Sequence, residues 1–239
     1  MKKILLGCAA IAALIGTPAL AADMPLKAPP PPAPIASWTG CYVGGQVGYA
    51  WGNSDHFFDN GAPSDTARPA GVVGGGLLGC NYQVSSVVFG IEGDFEAAGV
   101  NGGGFVNLTG ATSSGSDNMT SDGSVRARIG GVVWDRSLLY VTAGWAFAHY
   151  NTMGGPGPGF GVPVPCCGFS GNPDGWTLGV GWEYEFAPSW TARVEYRHSD
   201  FGVLSGALVP SFPTVTMSVR NAIDAVRFGL TYRFSMFGH

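Results

Sequence analysis

The sequence predicts an all-β chain that closes as an eight-stranded antiparallel up-and-down transmembrane β-barrel. Three observations carry that prediction. Only 12% of the 239 residues are charged, about half the share of a soluble domain, while 46% are apolar. No run beyond the N-terminus approaches the roughly 18 apolar residues of a membrane helix. The chain instead shows a period-two alternation that recurs along most of its length. The 39 glycines, 17 prolines and 18 serines make up 74 of the 239 residues and alone would suggest disorder, but 14 Phe, 8 Tyr and 7 Trp do not stay solvated along a disordered chain. A formal net charge of −4 argues against a phosphate-neutralising surface, so no nucleic-acid partner is expected.

Residues 1–21 read as a cleaved secretory signal. Lys2 and Lys3 give the positive start, Ile4 to Ile15 the apolar stretch, and Ala19-Leu20-Ala21 the small-residue cleavage pattern. A retained anchor helix is the alternative, but the stretch is short. Leu5-Leu6-Gly7-Cys8 looks like a lipidation site with almost no apolar run before it, so Cys8 is expected to leave with the signal. The compact signal looks bacterial and sends the chain to the periplasm, the outer membrane or the medium. Residues 22–37 form a Pro-rich periplasmic leader with Pro25, Pro29 to Pro32 and Pro34. As polyproline II, Met24 to Ala36 would span about 40 Å at ~3.1 Å per residue.

The barrel is assigned to 38–239. Its strands are expected at Cys41 to Trp51, Val72 to Val84, Val87 to Ala97, Gly123 to Val133, Leu139 to His149, Trp176 to Phe186, Trp190 to His198 and Val226 to Phe234. The third is the clearest, with Phe89, Ile91 and Phe95 alternating with Glu92, Asp94 and Glu96. The apolar face of these segments carries no charge. The other face carries six acids (Glu92, Asp94, Glu96, Glu183, Glu185, Glu195) and six arginines (Arg126, Arg128, Arg193, Arg197, Arg227, Arg233). Alternation alone does not say which face meets lipid, because a soluble sandwich would turn it round. The connections decide. Long links (52–71, 98–122, 150–175, 199–225) alternate with short ones (85–86, 134–138, 187–189), the arrangement of outer-membrane barrels with long outside loops and short periplasmic turns.

The last segment is apolar at Val226, Phe228, Leu230, Tyr232 and Phe234, which resembles the signal read by the barrel-assembly machinery. Ala19 to Pro32 (ALAADMPLKAPPPP), Trp38 to Trp51 (WTGCYVGGQVGYAW), Phe89 to Phe95 (FGIEGDF), Val125 to Gly130 (VRARIG), Leu139 to Gly144 (LYVTAG), Val194 to Arg197 (VEYR) and Val226 to Phe234 (VRFGLTYRF) follow one another in order. Together they resemble the small alphaproteobacterial outer-membrane β-barrel (porin-family) surface proteins of rhizobia, their relatives and Brucella. The resemblance implies a barrel similar to the transmembrane domain of OmpA, with envelope-structural or surface roles and no established chemistry. Cys41 and Cys80 stand where aromatics are expected, and a Cys166-Cys167 pair in the third outer loop is a second departure.

Motifs that could carry chemistry have plainer explanations. Gly74 to Gly79 matches G-x-G-x-x-G, but a dinucleotide site needs a helix to follow and here a strand continues. His198-Ser199-Asp200 has the residue types of a lipid-hydrolase triad, yet neighbours in a strand point to opposite faces. His149 and His198 are expected in an aromatic girdle at the outer rim. His56 is placed in a loop, so no metal-ligand spacing emerges and no cofactor or metal is expected. Asp55, Asp59, Asp65, Asp117, Asp122, Asp174, Asp200 and Asp224 are read as loop acids, near the lipopolysaccharide and its divalent cations but simply solvated.

Removal of Cys8 leaves four cysteines in an oxidising compartment. Cys41 and Cys80 lie near the periplasmic ends of neighbouring strands, so a Cys41–Cys80 bridge is expected, with a vicinal Cys166–Cys167 bridge outside. The lumen of an eight-stranded barrel is only wide enough for side chains, so twelve inward charges must pair. Pairing Phe186 with Trp190 across the turn would set Glu183 opposite Arg193. The function expected is a structural and surface barrel that contributes to envelope integrity, with lipids and lipopolysaccharide as partners. A narrow diffusion pore is the alternative, with water-separated charges lining a channel, and a lipid-modifying enzyme the third reading.

Overall fold

The computed structural model describes residues 37–58, 65–108, 111–155, 167–209 and 212–234. The expected signal (1–21) and nearly all of the expected leader (22–37) lie outside them, as do Cys166, Asp59 and 235–239. The strands are β1 (Gly40–Phe58), β2 (Asp65–Ala67), β3 (Ala70–Val84), β4 (Val87–Leu108), β5 (Ala111–Val133), β6 (Ser137–Gly155), β7 (Cys167–Gly171), β8 (Asp174–Ala187), β9 (Trp190–Val209) and β10 (Phe212–Phe234). Eight of them, β1, β3, β4, β5, β6, β8, β9 and β10, pair antiparallel in that order, and β10 returns to pair β1. The closing ladder runs from Cys41↔Phe234 to Phe58↔Met217.

β2 and β7 are continuations rather than extra staves. Ser54↔Ala67 and Trp51↔Ala70 belong to one register along β1, as Tyr150↔Gly171 and Phe147↔Asp174 do along β6. Each is interrupted at a proline, which has no N–H to give a ladder. The carbonyls remain in use: Gly52 N–H donates to Pro69 O at 2.9 Å and Ala148 N–H to Pro173 O at 3.0 Å. The ladders β3–β4 and β8–β9 end nearby, at Ala70↔Asn101 and Trp176↔Asp200. Above these points the described wall is two half-sheets, β2-β1-β10-β9 and β4-β5-β6-β7.

All eight expected segments are strands, and the three described short turns fall at 85–86, 134–136 and 188–189. Ser85, Trp134 and Ser189 take positive φ there (56°, 49° and 65°). The long links are a correction, because most of their described residues are strand. Outside the lipid a strand needs no apolar outer face, so the alternation that reveals it fades while its backbone pairing continues. The Phe186–Trp190 pairing is also corrected. Ala187 pairs Trp190, and an irregularity between Glu185 and Ala187 restores Glu183↔Arg193.

Closure turns the distribution of residues inside out. Leu78, Ile91 and Phe228 on the outer wall are 66%, 67% and 61% exposed, whereas Glu96 and Arg126 inside are 0% and 1% exposed. Lipid is the solvent that accepts that outer wall. The glycines serve the inner one. Inward-facing Gly79 pairs Tyr42 and Gly181 pairs Tyr140, and a Cβ on either glycine would run into the tyrosine hydroxyl. Outward-facing Gly45 is different, since its nearest atom would be Gly75 O at 3.7 Å, an ordinary contact. Gly181→Ala is therefore expected to cost about 1–3 kcal/mol, the range for overpacking. Gly45→Ala should stay within about 0.5 kcal/mol of wild type. Denaturant unfolding in detergent measures both, and equal costs would contradict the packing.

Cys41 and Cys80 are register partners and are disulfide-bonded, spanning 39 residues. The Cys166–Cys167 pairing lies outside the described residues. Non-reducing peptide mapping is expected to return Cys41–Cys80. Replacing both cysteines by alanine should lower the unfolding free energy by about 3–4 kcal/mol, the chain-entropy value for a loop of this size. An unchanged midpoint would show that closure of the wall already holds these ends together.

Candidate functional site: the ion-paired lumen

From the short turns outward, the lumen begins with an apolar floor of Trp38, Val88, Leu138 and Tyr140. Gly40, at φ 138°, turns the chain at the first residue of β1. Trp38 N–H donates to Gln83 Oε1 at 2.7 Å, and the Arg233 guanidinium lies 5.3 Å from the Trp38 ring centroid. Arg233 also pairs with Glu185. Above them, Arg128 meets Glu183 at 3.0 Å and lies 4.0 Å over the Tyr140 ring. It donates to the Tyr42 hydroxyl at 2.8 Å, which in turn donates to Glu92 at 2.6 Å.

The centre is a ring of two acids and two arginines. Glu92 lies 2.6 Å from Arg126 and 2.6 Å from Arg193, and Glu195 lies 2.6 Å and 2.5 Å from the same two. The Tyr140 hydroxyl donates to Glu195 at 2.9 Å. The next tier joins Asp94 to Arg126 and Arg197, each at 2.9 Å, and to the Ser124 hydroxyl at 2.6 Å. Arg227 then holds Glu96 at 2.8 Å and Asp122 at 3.0 Å, while Gln46 donates to Glu96 at 2.8 Å. Arg126, Arg128, Arg193, Arg197 and Arg227 each meet carboxylates from different strands, so the network ties the wall across its interior.

The structure places all twelve expected inward charges in the lumen and pairs each of them, though not always with the partner the register suggests. Glu183 and Arg193 are opposite in register but 3.8 Å apart. The shorter contacts of Arg193 are to Glu92 and Glu195, and that of Glu183 is to Arg128. A long side chain in a narrow lumen reaches past its register neighbour to whichever carboxylate leaves its charge best solvated.

Several acids read as solvated loop residues are instead engaged. Asp122 is buried on Arg227, and Asp117 is buried with His56 Nε2 at 2.8 Å, which also corrects the loop placement of His56. Asp174 accepts from Trp145 Nε1 at 2.9 Å, Asp200 meets Arg220 at 2.7 Å and Asp55 accepts from Thr66 at 2.8 Å. Asp224, on the outer wall, takes the Tyr196 hydroxyl at 2.7 Å and lies 2.8 Å from His198 Nδ1. His198 packs on Trp176 at 5.3 Å, in the outer girdle with Trp51 and Trp145. Ser199 turns inward onto Thr177 at 2.9 Å, so the His-Ser-Asp run does not converge. Among the described residues no group of three His, Cys, Asp or Glu could hold a metal.

Tyr42 and Asp122 were open to discovery, since both share the inward parity of their strands. Asp117 was not, because a register irregularity between Met119 and Ser121 shifts the parity. Above the ionic tiers an apolar cluster closes the lumen again: Ala50, Val73, Val100, Met119, Tyr150, Phe201, Ile223 and their neighbours.

Arg193→Ala removes one of the two ring arginines and leaves Glu92 and Glu195 to share Arg126, and is expected to cost about 3–5 kcal/mol, as for removal of one partner from a buried ionic group. A double-mutant cycle in detergent should give strong coupling between Arg193 and Glu92 and weak coupling between Arg193 and Glu183. Coupling of equal size would contradict the observed distances.

The outer membrane protein beta-barrel domain family matches residues 8–234 of the chain. The 31 kDa outer-membrane immunogenic protein of Brucella melitensis is 33% identical over 251 residues, covering 98% of this chain and 100% of that protein. The 22 kDa outer membrane protein of Rhizobium leguminosarum bv. viciae is 31% identical over 175 residues, covering 72% and 68%. Among solved structures, OprG of Pseudomonas aeruginosa is 13% identical, covering 83% of this chain and 99% of its own, with a TM-score of 0.46. The chain belongs to the outer-membrane β-barrel protein family, and its place is the outer membrane.

Proposed function

We propose that the protein is a non-conducting, non-catalytic barrel that stabilises the outer membrane and presents its outer strands at the cell surface. The observation that carries this reading is the double closure of the lumen. The Trp38 floor and the Met119–Tyr150–Phe201 cluster bound the ionic tiers on both sides. A hydrated ion would have to shed its water at each apolar layer and compete with short ion pairs between them. The names of the Brucella relatives, outer-membrane immunogenic proteins, support surface presentation. The exposed apolar wall and its rim aromatics suit membrane lipids and lipopolysaccharide as partners. The aromatic end of β10 suits handling by the barrel-assembly machinery.

The narrow pore is the competing reading. In planar bilayers the refolded protein is expected to stay silent, and so is Trp38→Ala, because the outer cluster remains. A steady open level from the wild-type protein would overturn the proposal in favour of the pore.

A further inference from the structure

We infer that His56 and Asp117 form a proton-operated clasp across the outer mouth of the barrel. The mouth is built to need one. Beyond Ala70↔Asn101 and Trp176↔Asp200, no described ladder joins β2-β1-β10-β9 to β4-β5-β6-β7. There the described edges meet by packing alone, Gly102 of β4 against Pro69 and Gly171 of β7 against Leu204 of β9, and the inner faces supply the remaining link. His56 stands on β1 in one half and Asp117 on β5 in the other. Their Nε2 and Oδ2 atoms are 2.8 Å apart, with side chains only 7% and 2% exposed.

The surroundings make the imidazole charge matter. In register, His56 lies between Val219 of β10 and Asp65 of β2. Tyr150 of β6 is within electrostatic reach of both Asp117 and Asp122. Asp55 and Arg220 are register partners one residue along; Arg220 is largely exposed and bonded to Asp200, and Asp55 to Thr66. Among the described side chains, the acid set against the His56 imidazole is Asp117. A protonated imidazole answers Asp117 directly. Once it gives its proton to external water, a buried carboxylate faces a neutral ring, and the attraction between the half-sheets falls. The apolar cluster beneath, including the Tyr150–Phe201 edge contact at 6.0 Å, does not titrate in this range. The change is therefore confined to the mouth: clasped in mildly acidic surroundings and loosened in alkaline ones.

Hydrogen exchange of the refolded full barrel in lipid nanodiscs, corrected for intrinsic rates, tests the clasp. Between about pH 5 and about pH 8, amides of 52–57 and 116–119 are expected to lose protection several-fold, while those of 42–50 do not change. His56→Gln should show low mouth protection at both pH values, and His56→Lys, which keeps its charge, high protection at both. Equal wild-type protection at the two pH values would overturn the inference, as would a His56→Gln barrel that keeps the wild-type pH profile. If a His56 variant does not refold, the wild-type comparison and Asp117→Asn decide in the same way.

Discussion

A closed wall of eight strands leaves a lumen no wider than its own side chains, and six arginines must fit inside it. That constraint governs the rest of the structure. An arginine cannot extend across such a space without meeting a side chain from the next strand, so five of the six lie against a neighbour that has none, while Arg233 pairs with Tyr42. Arg126 pairs in register with Gly144, Arg128 with Gly90, Arg193 with Gly229, Arg197 with Gly179 and Arg227 with Gly48. Tyr42 and Tyr140 use Gly79 and Gly181 in the same way. Seven of the 39 glycines are thus the imprint of these large inward residues on the strands beside them.

Charge pairing in this lumen is therefore a consequence of packing. A guanidinium laid along the wall presents its nitrogens to two or three carboxylates at once, and the central ring of Glu92, Arg126, Glu195 and Arg193 results. Replacing such a group by apolar residues can be neutral for stability, so the ionic interior is not explained by stability alone. It also marks register, because a one-residue slip would carry every charge of a strand into lipid. The apolar layers at each end complete the arrangement by denying bulk water to the charges.

The membrane belt was legible because two constraints act there together. Lipid demands an apolar outer face and the lumen a polar inner one, so strands such as Val87 to Ala97 alternate without exception over their charged residues. Glu183 was expected opposite Arg193, and that register holds, but its shortest contact is to Arg128. Side-chain reach in a narrow lumen is a three-dimensional matter that alternation does not encode. Trp38 was missed as the floor of the lumen for another reason. It precedes the first ladder residue, and its position depends on the positive φ of Gly40.

Beyond the girdle only one of the two constraints survives. Water accepts polar residues on the outer face, so the outer half of the alternation disappears and the segment reads as a loop. The inner face still packs, and its parity persists until a bulge resets it. His56 continues the inward parity of Tyr42, Gln46, Ala50 and Ser54 along β1 without a break, and is buried as they are. Asp117 lies beyond an irregularity in β5 and loses that parity, yet ends at the same buried pair. Inner parity is thus the more durable signal in a barrel of this size. Followed past the membrane, it would have reached one half of the outer ion pair from sequence, and the bulge explains why it would not have reached the other.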